Sequence, residues 1–338
     1  MTNQVPYTIT VKSADYLVKI AEIVTRLEYS TNFKQDIRLH RENRLQTIHS
    51  SLAIEGNSLS FGEVTAIIDG KRVLGMQSEI LEVENAYKAY DRLMDYDPYS
   101  IKDFLQAHSL MTDGLISEFG KFRSGDVGVF AGDVTVHIGA RPQFVPGLVH
   151  ELFAWAKESD LHPVLKSAIM HYEIEIIHPF SDGNGRMGRL WQTLILAKWN
   201  SIFEWVPMES VIYEKRPEYY EAISTAKRAN DSSTFIEFTL SAVLDSLSGQ
   251  MEKLQNQEKM LSDDLSDTQK KVLKLLAEKA LSRKDIFEVI GIRGDSRSFT
   301  RHISPLISDG LIEMTLPDKP TSRLQKYRLT DKGKVLIG

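Results

Sequence analysis

The chain has 338 residues, of which 42% are hydrophobic and 26% charged, with a formal net charge of −5. This composition is typical of a globular protein, and the acidic balance argues against nucleic-acid binding over the whole surface, though a local basic patch is compatible with it. The absence of cysteine excludes disulfides, a thiol nucleophile and cysteine-based zinc sites. No apolar run approaches the roughly 18 residues that span a bilayer, and the N-terminus lacks the features of a secretion signal. We therefore expect a cytoplasmic protein without a membrane partner.

Helical periodicity dominates the first third of the chain. Two apolar-periodic stretches lie within Tyr16–Ser51 and another within Gln77–Tyr96. The dipeptide Asp97-Pro98 ends the second of these regions, because a residue before proline avoids the helical conformation. Ser100 is then the expected N-cap of a helix that reaches Met111.

The segment Gly125–Pro146 breaks this helical pattern. Valine and isoleucine alternate there with other residues, and glycines interrupt the run, which predicts a β-hairpin. Helical periodicity returns over Val149–Ile176 and Arg189–Trp199. The stretch Ser248–Asp267 is polar and charged, and we interpret it as a solvated helix or a linker near a domain boundary.

The remaining residues form a compact pattern of helices and short strands. From Ser262 onward the chain has 15 lysines and arginines against 11 acidic residues, whereas the preceding part has 26 against 35. A turn is expected at Gly291. The expected helices are Thr268–Lys279, Arg283–Val289 and Ser296–Asp309, and the expected strands are Leu311–Leu316 and Lys326–Thr330.

The most informative segment is His178–Arg189, which reads HPFSDGNGRMGR. Its Asp-Gly-Asn-Gly stretch predicts a turn whose glycines permit left-handed backbone angles and the close approach of a ligand. The next helix is expected to begin near Gly185, so that its first backbone N–H groups form an anion site. Arg186 and Arg189 lie three residues apart and share one face of this helix, an arrangement that suits a polyphosphate.

Two further side chains supply a metal ligand and a base, which group transfer requires. The carboxylate of Asp182 could hold Mg²⁺ that bridges phosphates, and His178 could accept a proton from an attacking hydroxyl. A base, a metal ligand, a phosphate cradle and two guanidinium groups together indicate nucleotidyl or phosphoryl transfer. The G-x-G-x-x-G match at Gly183–Gly188 does not indicate a dinucleotide site, because a preceding strand and a βαβ pattern are missing.

The segment His178–Arg189 resembles the signature HPFx(D/E)GNGRxxR of Fic-domain proteins at every specified position. The likeness extends over Ser100–Ser248, where FLQAHSLMTDGLISEFG is similar to an early helix of the family and Gly125–Pro146 to its flap hairpin. The resemblance implies a mainly α-helical core with a β-hairpin flap. It also implies transfer of AMP from ATP to a Ser, Thr or Tyr hydroxyl of a protein, which can be the chain itself.

The motif positions of the family imply a role for each residue. His178 would be the general base, Asp182 the Mg²⁺ ligand and Phe180 an anchor in the core. Arg186 would support the triphosphate, and Arg189 would pair with its γ-phosphate. The residues that would bind the phosphates of ATP are Gly183, Asn184, Gly185, Arg186, Gly188 and Arg189.

Further roles are implied outside the motif. Tyr219 or Tyr220 would lie near the nucleoside, and the flap residues Val136, His137 and Ile138 would align the target by strand pairing. The resemblance thus implies ATP as the substrate, Mg²⁺ as the cofactor and a hydroxyl-bearing protein as the partner. It is also compatible with a homodimer.

The upstream segment Ser51-Leu-Ala-Ile-Glu55-Gly56 is similar to the (S/T)xxxE(G/N) inhibitory motif of Fic proteins. The likeness implies that Glu55 pairs with Arg189 at the position of the γ-phosphate, so that ATP binds with its α-phosphate turned away from the hydroxyl. In some members this glutamate positions a water that removes AMP again. A hydrolase that removes AMP, or another Fic-type phosphotransferase, therefore stays an alternative to an autoinhibited transferase.

The C-terminal pattern resembles a winged helix, a module that binds DNA or proteins. A nucleotide-sensing, DNA-binding regulator is accordingly another alternative function. In the helix 296–309, which would be the recognition helix, the exposed residues would be Arg297, Thr300, Arg301 and His302. In the wing Pro317–Arg328 the basic residues are Lys319, Arg323, Lys326 and Arg328. The expected domains are an N-terminal helical region with the inhibitory helix (1–99), the Fic core (100–248), a linker or connecting helix (249–265) and the winged helix (266–338).

Overall fold

The computed structural model describes residues 5–30, 33, 36–131 and 134–336. Within them, internal contacts divide the chain into two compact units. The first unit holds the described residues up to 27 together with 36–250, and the second holds those of 28–35 together with those from 251 onward. The N-terminal region and the core, which the sequence analysis separates at residue 99, therefore share one unit.

The first unit is built from α-helices and a β-hairpin, as the sequence predicts. Its first helices are α1 (Val11–Tyr29), α2 (Ile37–Ile54), α3 (Phe61–Ile68), α4 (Gln77–Asp91) and α5 (Ile101–Thr112). The hairpin and the following helices are β1 (Gly128–Ala131), β2 (Val134–Ile138), α6 (Val145–Glu158), α7 (Pro163–Ile177), α8 (Asn184–Trp199), α9 (Met208–Glu214), α10 (Arg216–Ala229) and α11 (Ser233–Asp264), whose residues from 251 onward belong to the second unit. The predicted linker 249–265 thus falls mostly within α11.

Local capping explains several helix starts. Ser100 accepts a hydrogen bond from the backbone N–H of Asp103, as the sequence predicts for the start of α5. Ser60 and Glu63 form a reciprocal capping box at the start of α3. Two predicted helices of the first unit differ from the structure. The helix expected to reach Tyr96 ends at Asp91 and continues as a 3-10 turn, and the helix expected over 149–176 is divided into α6 and α7 because Pro163 begins a new helix.

Helix α8 forms the centre of the first unit. Nearly all of its residues are buried, which requires neighbours on every side. An aromatic cluster surrounds Trp191, whose ring lies 4.9 Å from that of Phe104 and 6.0 Å from that of Phe153. The indole nitrogen of Trp191 donates a hydrogen bond to the carbonyl of Pro98 at 2.9 Å, so the buried polar atom is satisfied. The motif helix is therefore held rigidly by the core.

The hairpin pairs β1 and β2 in antiparallel register. Gly128 lies opposite Ile138 and Val129 opposite His137, and the register shifts after Val129. The predicted docking segment Val136–Ile138 thus lies on β2, while its side chains fall outside the described part of the chain.

The second unit has the element order of a winged helix. Its elements are α12 (Asp267–Glu278), β3 (Leu281–Ser282), α13 (Arg283–Ile290), α14 (Ser296–His302), α15 (Ser304–Ser308), β4 (Ile312–Met314), β5 (Lys326–Leu329) and α16 (Asp331–Val335). The strands form an antiparallel sheet in the order β3-β5-β4. A buried core that includes Val272, Phe287 and Leu306 joins helices to sheet.

The recognition helix predicted over 296–309 is wrong in one respect, because the structure divides it into α14 and α15. Pro305 has no N–H and its ring disfavours a continuous helix, so α15 begins with this proline in its first turn. His302 is half-buried rather than exposed. Among the described residues, none of the helices combines the length and apolar composition needed to cross a bilayer.

Candidate active site

The loop between α7 and α8 carries the predicted base. His178 follows the last residue of α7 and adopts a left-handed backbone conformation (φ 52°, ψ 62°), which costs a non-glycine residue on the order of 1 kcal/mol. Its carbonyl accepts a hydrogen bond from Nε of Arg123 at 2.7 Å, which helps hold this conformation. Nδ1 of the ring lies 3.4 Å from the carbonyl oxygen of Glu175. Because that oxygen can only accept, the contact favours a proton on Nδ1 and leaves Nε2 as the basic nitrogen.

Two buried rings hold the next part of the loop. Phe180 is fully buried and stacks on His108, with ring centroids 3.6 Å apart and planes within 6°. The resemblance predicts this anchoring role. Nε2 of His108 lies 3.0 Å from the carbonyl oxygen of Asp182, and Nδ1 accepts from the N–H of Gly120 at 3.0 Å. The sequence analysis does not single out His108, whereas the structure places it in direct contact with the motif loop.

Asn184 closes the loop instead of facing a ligand with its side chain. Its Oδ1 accepts from the N–H of Phe180 at 2.8 Å, and its Nδ2 donates to the carbonyl of Phe180 at 2.9 Å. The side chain is almost completely buried. The predicted contact of this residue with phosphate can therefore come only from its backbone N–H, at the first position of α8.

The start of α8 has the geometry of an anion site. Its N-cap is Gly183 (φ 84°), which has no side chain that could satisfy the N–H groups of the first turn. The N–H of Gly183 itself points to Oδ1 of Asp182 at 2.6 Å. Because the first N–H groups of a helix lack intrahelical partners and lie at the positive end of its dipole, this turn favours a negative charge.

The carboxylate of Glu55 occupies this position. A Cβ atom at Gly185 would collide with Oε1 of Glu55, so only glycine lets the carboxylate approach the first turn. The same Oε1 accepts a hydrogen bond from Nη2 of Arg189 at 2.7 Å. Glu55 is the C-cap of α2, and Gly56 after it takes a left-handed conformation (φ 98°). The predicted pair of Glu55 and Arg189 is thus present over the anion site.

Arg189 is buried and held by the backbone and side chain of Ser51. Its Nη2 donates to the carbonyl of Ser51 at 2.9 Å, and its Nε donates to Oγ of Ser51 at 3.2 Å. Burial opposes the charge of Arg189, but Glu55, Tyr219 and Glu175 outweigh this and raise its pKa above the usual value. Nη1 of Arg189 is buried without a hydrogen-bond partner among the described residues. An unpartnered buried N–H is costly, which is consistent with a ligand site at this atom.

Arg186 contacts two acidic side chains. Its Nη2 lies 3.1 Å from Oδ2 of Asp182, and its Nη1 lies 3.2 Å from Oε1 of Glu82 on α4. The guanidinium is buried, whereas 59% of the Asp182 side chain is exposed. Glu82 was missed by the sequence analysis, since an acidic residue on a helix surface gives no signal of its own.

A buried carboxyl near Arg189 was missed as well. Glu209, in the first turn of α9, accepts hydrogen bonds from the Tyr90 hydroxyl at 3.0 Å and from Oγ1 of Thr193 at 3.1 Å. Burial raises the pKa of this carboxyl, whereas its hydrogen bonds and Arg189 lower it. Thr193 follows Arg189 by one turn of α8, so this network supports the helix from the side of the core.

Gly188 faces α7, and Tyr219 is buried beside Glu175. A Cβ at Gly188 would lie 2.6 Å from Cδ2 of His171, so this glycine lets α8 pack closely on α7 and does not face the phosphate position. Tyr219 is buried, and its hydroxyl lies 3.1 Å from Oε1 of Glu175. The adjacent Tyr220 is 47% exposed and donates to the carbonyl of Ile54 at 3.3 Å. Of the two predicted nucleoside contacts, only Tyr220 has an accessible ring.

The flap is attached to the motif loop through Arg123. Besides its bond to His178, Arg123 donates to the carbonyls of Gly125 at 2.8 Å and of Ala140. A Cβ at Gly139 would lie 3.2 Å from Cβ of His178, so the end of the flap passes close to the base. The hairpin is therefore fixed at both ends beside His178.

Comparisons with known proteins agree with this geometry. A model described as the Fic/DOC family matches residues 98–196, and one described as the C-terminal domain of the Filamentation induced by cAMP protein Fic-like matches residues 267–330. The chain is also similar to the crystal structure of a Fic family protein from Desulfovibrio desulfuricans G20, with 39% identity, a TM-score of 0.73 and coverage of 97% of this chain and 98% of that chain. The chain belongs to the Fic family.

More distant relatives of this Fic protein have names that state an activity. Protein adenylyltransferase fic-1 of Caenorhabditis elegans is 27% identical over 224 residues, which are 63% of this chain and 41% of that protein. Protein adenylyltransferase Fic of Aedes aegypti is 30% identical over 213 residues, which are 60% of this chain and 40% of that protein. The match thus spans less than half the length of these curated relatives.

Proposed function

We propose that this Fic protein transfers AMP from ATP to a Ser, Thr or Tyr hydroxyl of a protein, itself included, and that Glu55 restrains the reaction. The observation that carries the proposal is the pair of Glu55 and Arg189 over the first turn of α8, beside the loop that holds His178. An anion site of this kind suits a polyphosphate better than a neutral ligand. The names of the curated relatives support the same reaction class.

The triphosphate of ATP would bind where the Glu55 carboxylate lies. The backbone N–H groups of residues 184–186 would hold phosphate oxygens, and the missing side chain of Gly185 leaves room for them. Arg189 would pair with the γ-phosphate, and its unpartnered Nη1 supplies a donor for that contact. Arg186 would act mainly by holding Asp182 in place.

Asp182 would hold Mg²⁺ together with the phosphates of ATP. The residues fit this ion, because Mg²⁺ at nucleotide sites commonly uses one or two carboxylates plus phosphate oxygens, and the Asp182 carboxylate is exposed at the start of α8. Within the described residues there is no group of three or more His, Cys, Asp or Glu side chains that could hold a metal alone. Bound there, the ion would neutralise charge on the phosphates.

The transfer itself would use His178 as the base. Nε2 of His178 would take the proton of the target hydroxyl, whose oxygen forms a bond to the α-phosphorus of ATP. The bond from the α-phosphorus to the bridging oxygen breaks, and pyrophosphate leaves with its charge stabilised by the first turn of α8 and by Arg189. The backbone of β2 would align the target segment by strand pairing.

Glu55 would restrain this reaction by taking the donors that the γ-phosphate needs. Its carboxylate binds Arg189 and lies against Gly185, so ATP can enter in the productive orientation only when α2 moves or the side chain turns away. The second candidate function, removal of AMP from a protein, is favoured by the same observation, because a carboxylate in this position could also orient a water. Addition of AMP would then rise without Glu55, whereas removal would stop.

The experiment is incubation with Mg²⁺ and ATP labelled at either the α- or the γ-phosphate. We expect label from the α-phosphate, and none from the γ-phosphate, to become bound to protein in E55G. In the E55G background, H178A should abolish labelling. H150A, which changes an exposed histidine on α6, should leave the labelling of E55G unchanged. Equal labelling by E55G and by E55G/H178A would contradict the assignment of the base. Release of AMP from a labelled target by wild type but not by E55G would favour the hydrolase, and full function of H178A would favour a nucleotide-sensing regulator.

A further inference from the structure

The second unit has a group of cations that the proposed reaction does not use. Arg297 and Arg301 on α14 are both exposed, and they lie four residues apart, which places them on one side of the helix. The loop between β4 and β5, residues 315–325, carries the exposed Lys319 and Arg323, and β5 begins with the exposed Lys326. We call these five residues the basic surface.

The two elements of the basic surface are neighbours. The ring of Phe299 on α14 lies 6.0 Å from the ring of Tyr327 on β5, and Tyr327 is buried. Successive side chains of a strand point to opposite faces, so Lys326 points away from the core when Tyr327 points into it. The exposed side of α14 and the outer face of the β4–β5 hairpin therefore flank the same packed contact.

The charges of the basic surface are not balanced by ion pairs. Within the part of the chain that the structure describes, none of the five has an acidic side chain within ion-pair distance, whereas Arg328 pairs with Glu313 and Lys334 with Asp331. The acidic residue nearest to Arg297 in sequence, Asp295, caps α14 by accepting a hydrogen bond from the N–H of Ser298 at 2.8 Å, and Asp318 directly precedes Lys319 in the wing. Unpaired cations on a helix and on an adjacent hairpin create a local positive potential in a chain of net negative charge.

We propose that the basic surface binds the phosphate backbone of double-stranded DNA. Lysine and arginine contacts to phosphates supply most of the affinity of such complexes, and the helix-turn-helix arrangement presents a helix to the groove while neighbouring elements contact the backbone. A protein partner would instead require a core of exposed apolar side chains. Among the described residues of α14 and β5 no large hydrophobic side chain is exposed, and Leu316 and Leu324 in the loop between β4 and β5 are the exceptions nearby.

The test measures binding of the full-length chain to a fluorescent DNA duplex of random sequence by anisotropy at several salt concentrations. We expect R297A/R301A to weaken binding on the order of tenfold and to reduce the slope of log K against log salt by about two, because two phosphate contacts are lost. The matched control is K271A/K274A, which removes the same charge from exposed positions of α12. The control should retain wild-type affinity and slope.

Three outcomes would overturn this assignment. One is the absence of binding even at low salt, and another is equal weakening by the two double variants, which would indicate a response to net charge alone. The last is competition by poly-glutamate as effective as competition by DNA, which would point to an acidic protein instead. AMP transfer by the same preparations reports on the first unit, so failure of the proposed reaction and failure of DNA binding are distinguished.

Discussion

We expect the stability of the protein to depend on pH through the buried ring of His108. Because its Nδ1 accepts the N–H of Gly120, the ring must be neutral, with the proton on Nε2 directed to the carbonyl of Asp182. Burial lowers the pKa of His108 to about 4, whereas a histidine in an unfolded chain has a pKa of about 6.5. Protonation in the folded state would break the bond to Gly120 and place a charge beneath the motif loop.

The size of the pH effect on the free energy of unfolding follows from the folded and unfolded pKa values of His108. Because the folded pKa of His108 lies below the unfolded one, the unfolded chain binds more protons at pH values between the two. The contribution of the neutral ring to the free energy of unfolding is therefore fully present above about pH 6.5 and is lost as the pH falls towards about 4. Between about pH 7 and about pH 5 this amounts to a loss of about 2 kcal/mol. Glu173, whose pKa burial raises to about 7, contributes in the opposite direction, because its protonated form is favoured in the folded state. The comparison must therefore be made between variants.

The assay is urea unfolding of wild type and H108N near both pH values, followed by tryptophan fluorescence. All the tryptophans, Trp155, Trp191, Trp199 and Trp205, lie in the first unit, so the signal reports its unfolding. The asparagine supplies an oxygen that can accept the N–H of Gly120 but does not titrate. Wild type should lose about 2 kcal/mol more than H108N on acidification, and H150N should behave like wild type. Equal losses in wild type and H108N would show that protonation of His108 does not destabilise the folded chain.

Further predictions concern the packing, the inhibitory helix and the metal ligand. G188A should destabilise the first unit by about 1–3 kcal/mol in urea unfolding, because its Cβ would press on His171, and unchanged stability would show that α7 and α8 can separate without cost. R216A should raise the rate of label transfer about two- to fivefold, because Arg216 donates to the carbonyl of Ala53 at 3.3 Å and helps hold the end of α2, and a bond to carbonyl is worth about 0.5–1 kcal/mol. A rate equal to that of wild type would exclude this contact from the restraint. D182N in the E55G background should need far more Mg²⁺ for half-maximal labelling, and an unchanged Mg²⁺ requirement would assign the metal to other ligands.

Much of the site could be predicted from the sequence because its parts are local. The turn, the glycine at the N-cap of α8 and the hairpin follow from residues adjacent in the chain. The Glu55–Arg189 pair was expected only from the family resemblance, since it joins residues 134 positions apart. The contacts of Glu82 with Arg186 and of Glu209 with Thr193 could not be predicted, because they depend on how α4 and α9 pack against α8.

Packing gives different contacts to residues that the sequence alone does not distinguish. Tyr219 and Tyr220 were interchangeable as nucleoside contacts, but the packing of α10 buries the first and leaves the second accessible. Asn184 and Gly188 belong to the phosphate-binding signature by position, whereas their contacts in the structure are with the loop backbone and with His171. By contrast, the break between α14 and α15, which the sequence analysis missed, could have been predicted from Pro305.

We propose that Glu55 blocks productive binding of ATP by holding Arg189. The most direct measurement is the initial rate at which label from the α-phosphate of ATP becomes bound to protein, for wild type, E55G and the control E84Q, which changes an exposed glutamate on α4. Charge-assisted hydrogen bonds contribute about 1.5–3 kcal/mol, so removing the pair should raise the rate by about 10- to 100-fold, while E84Q should equal wild type. A rate for E55G at or below that of wild type would contradict the account.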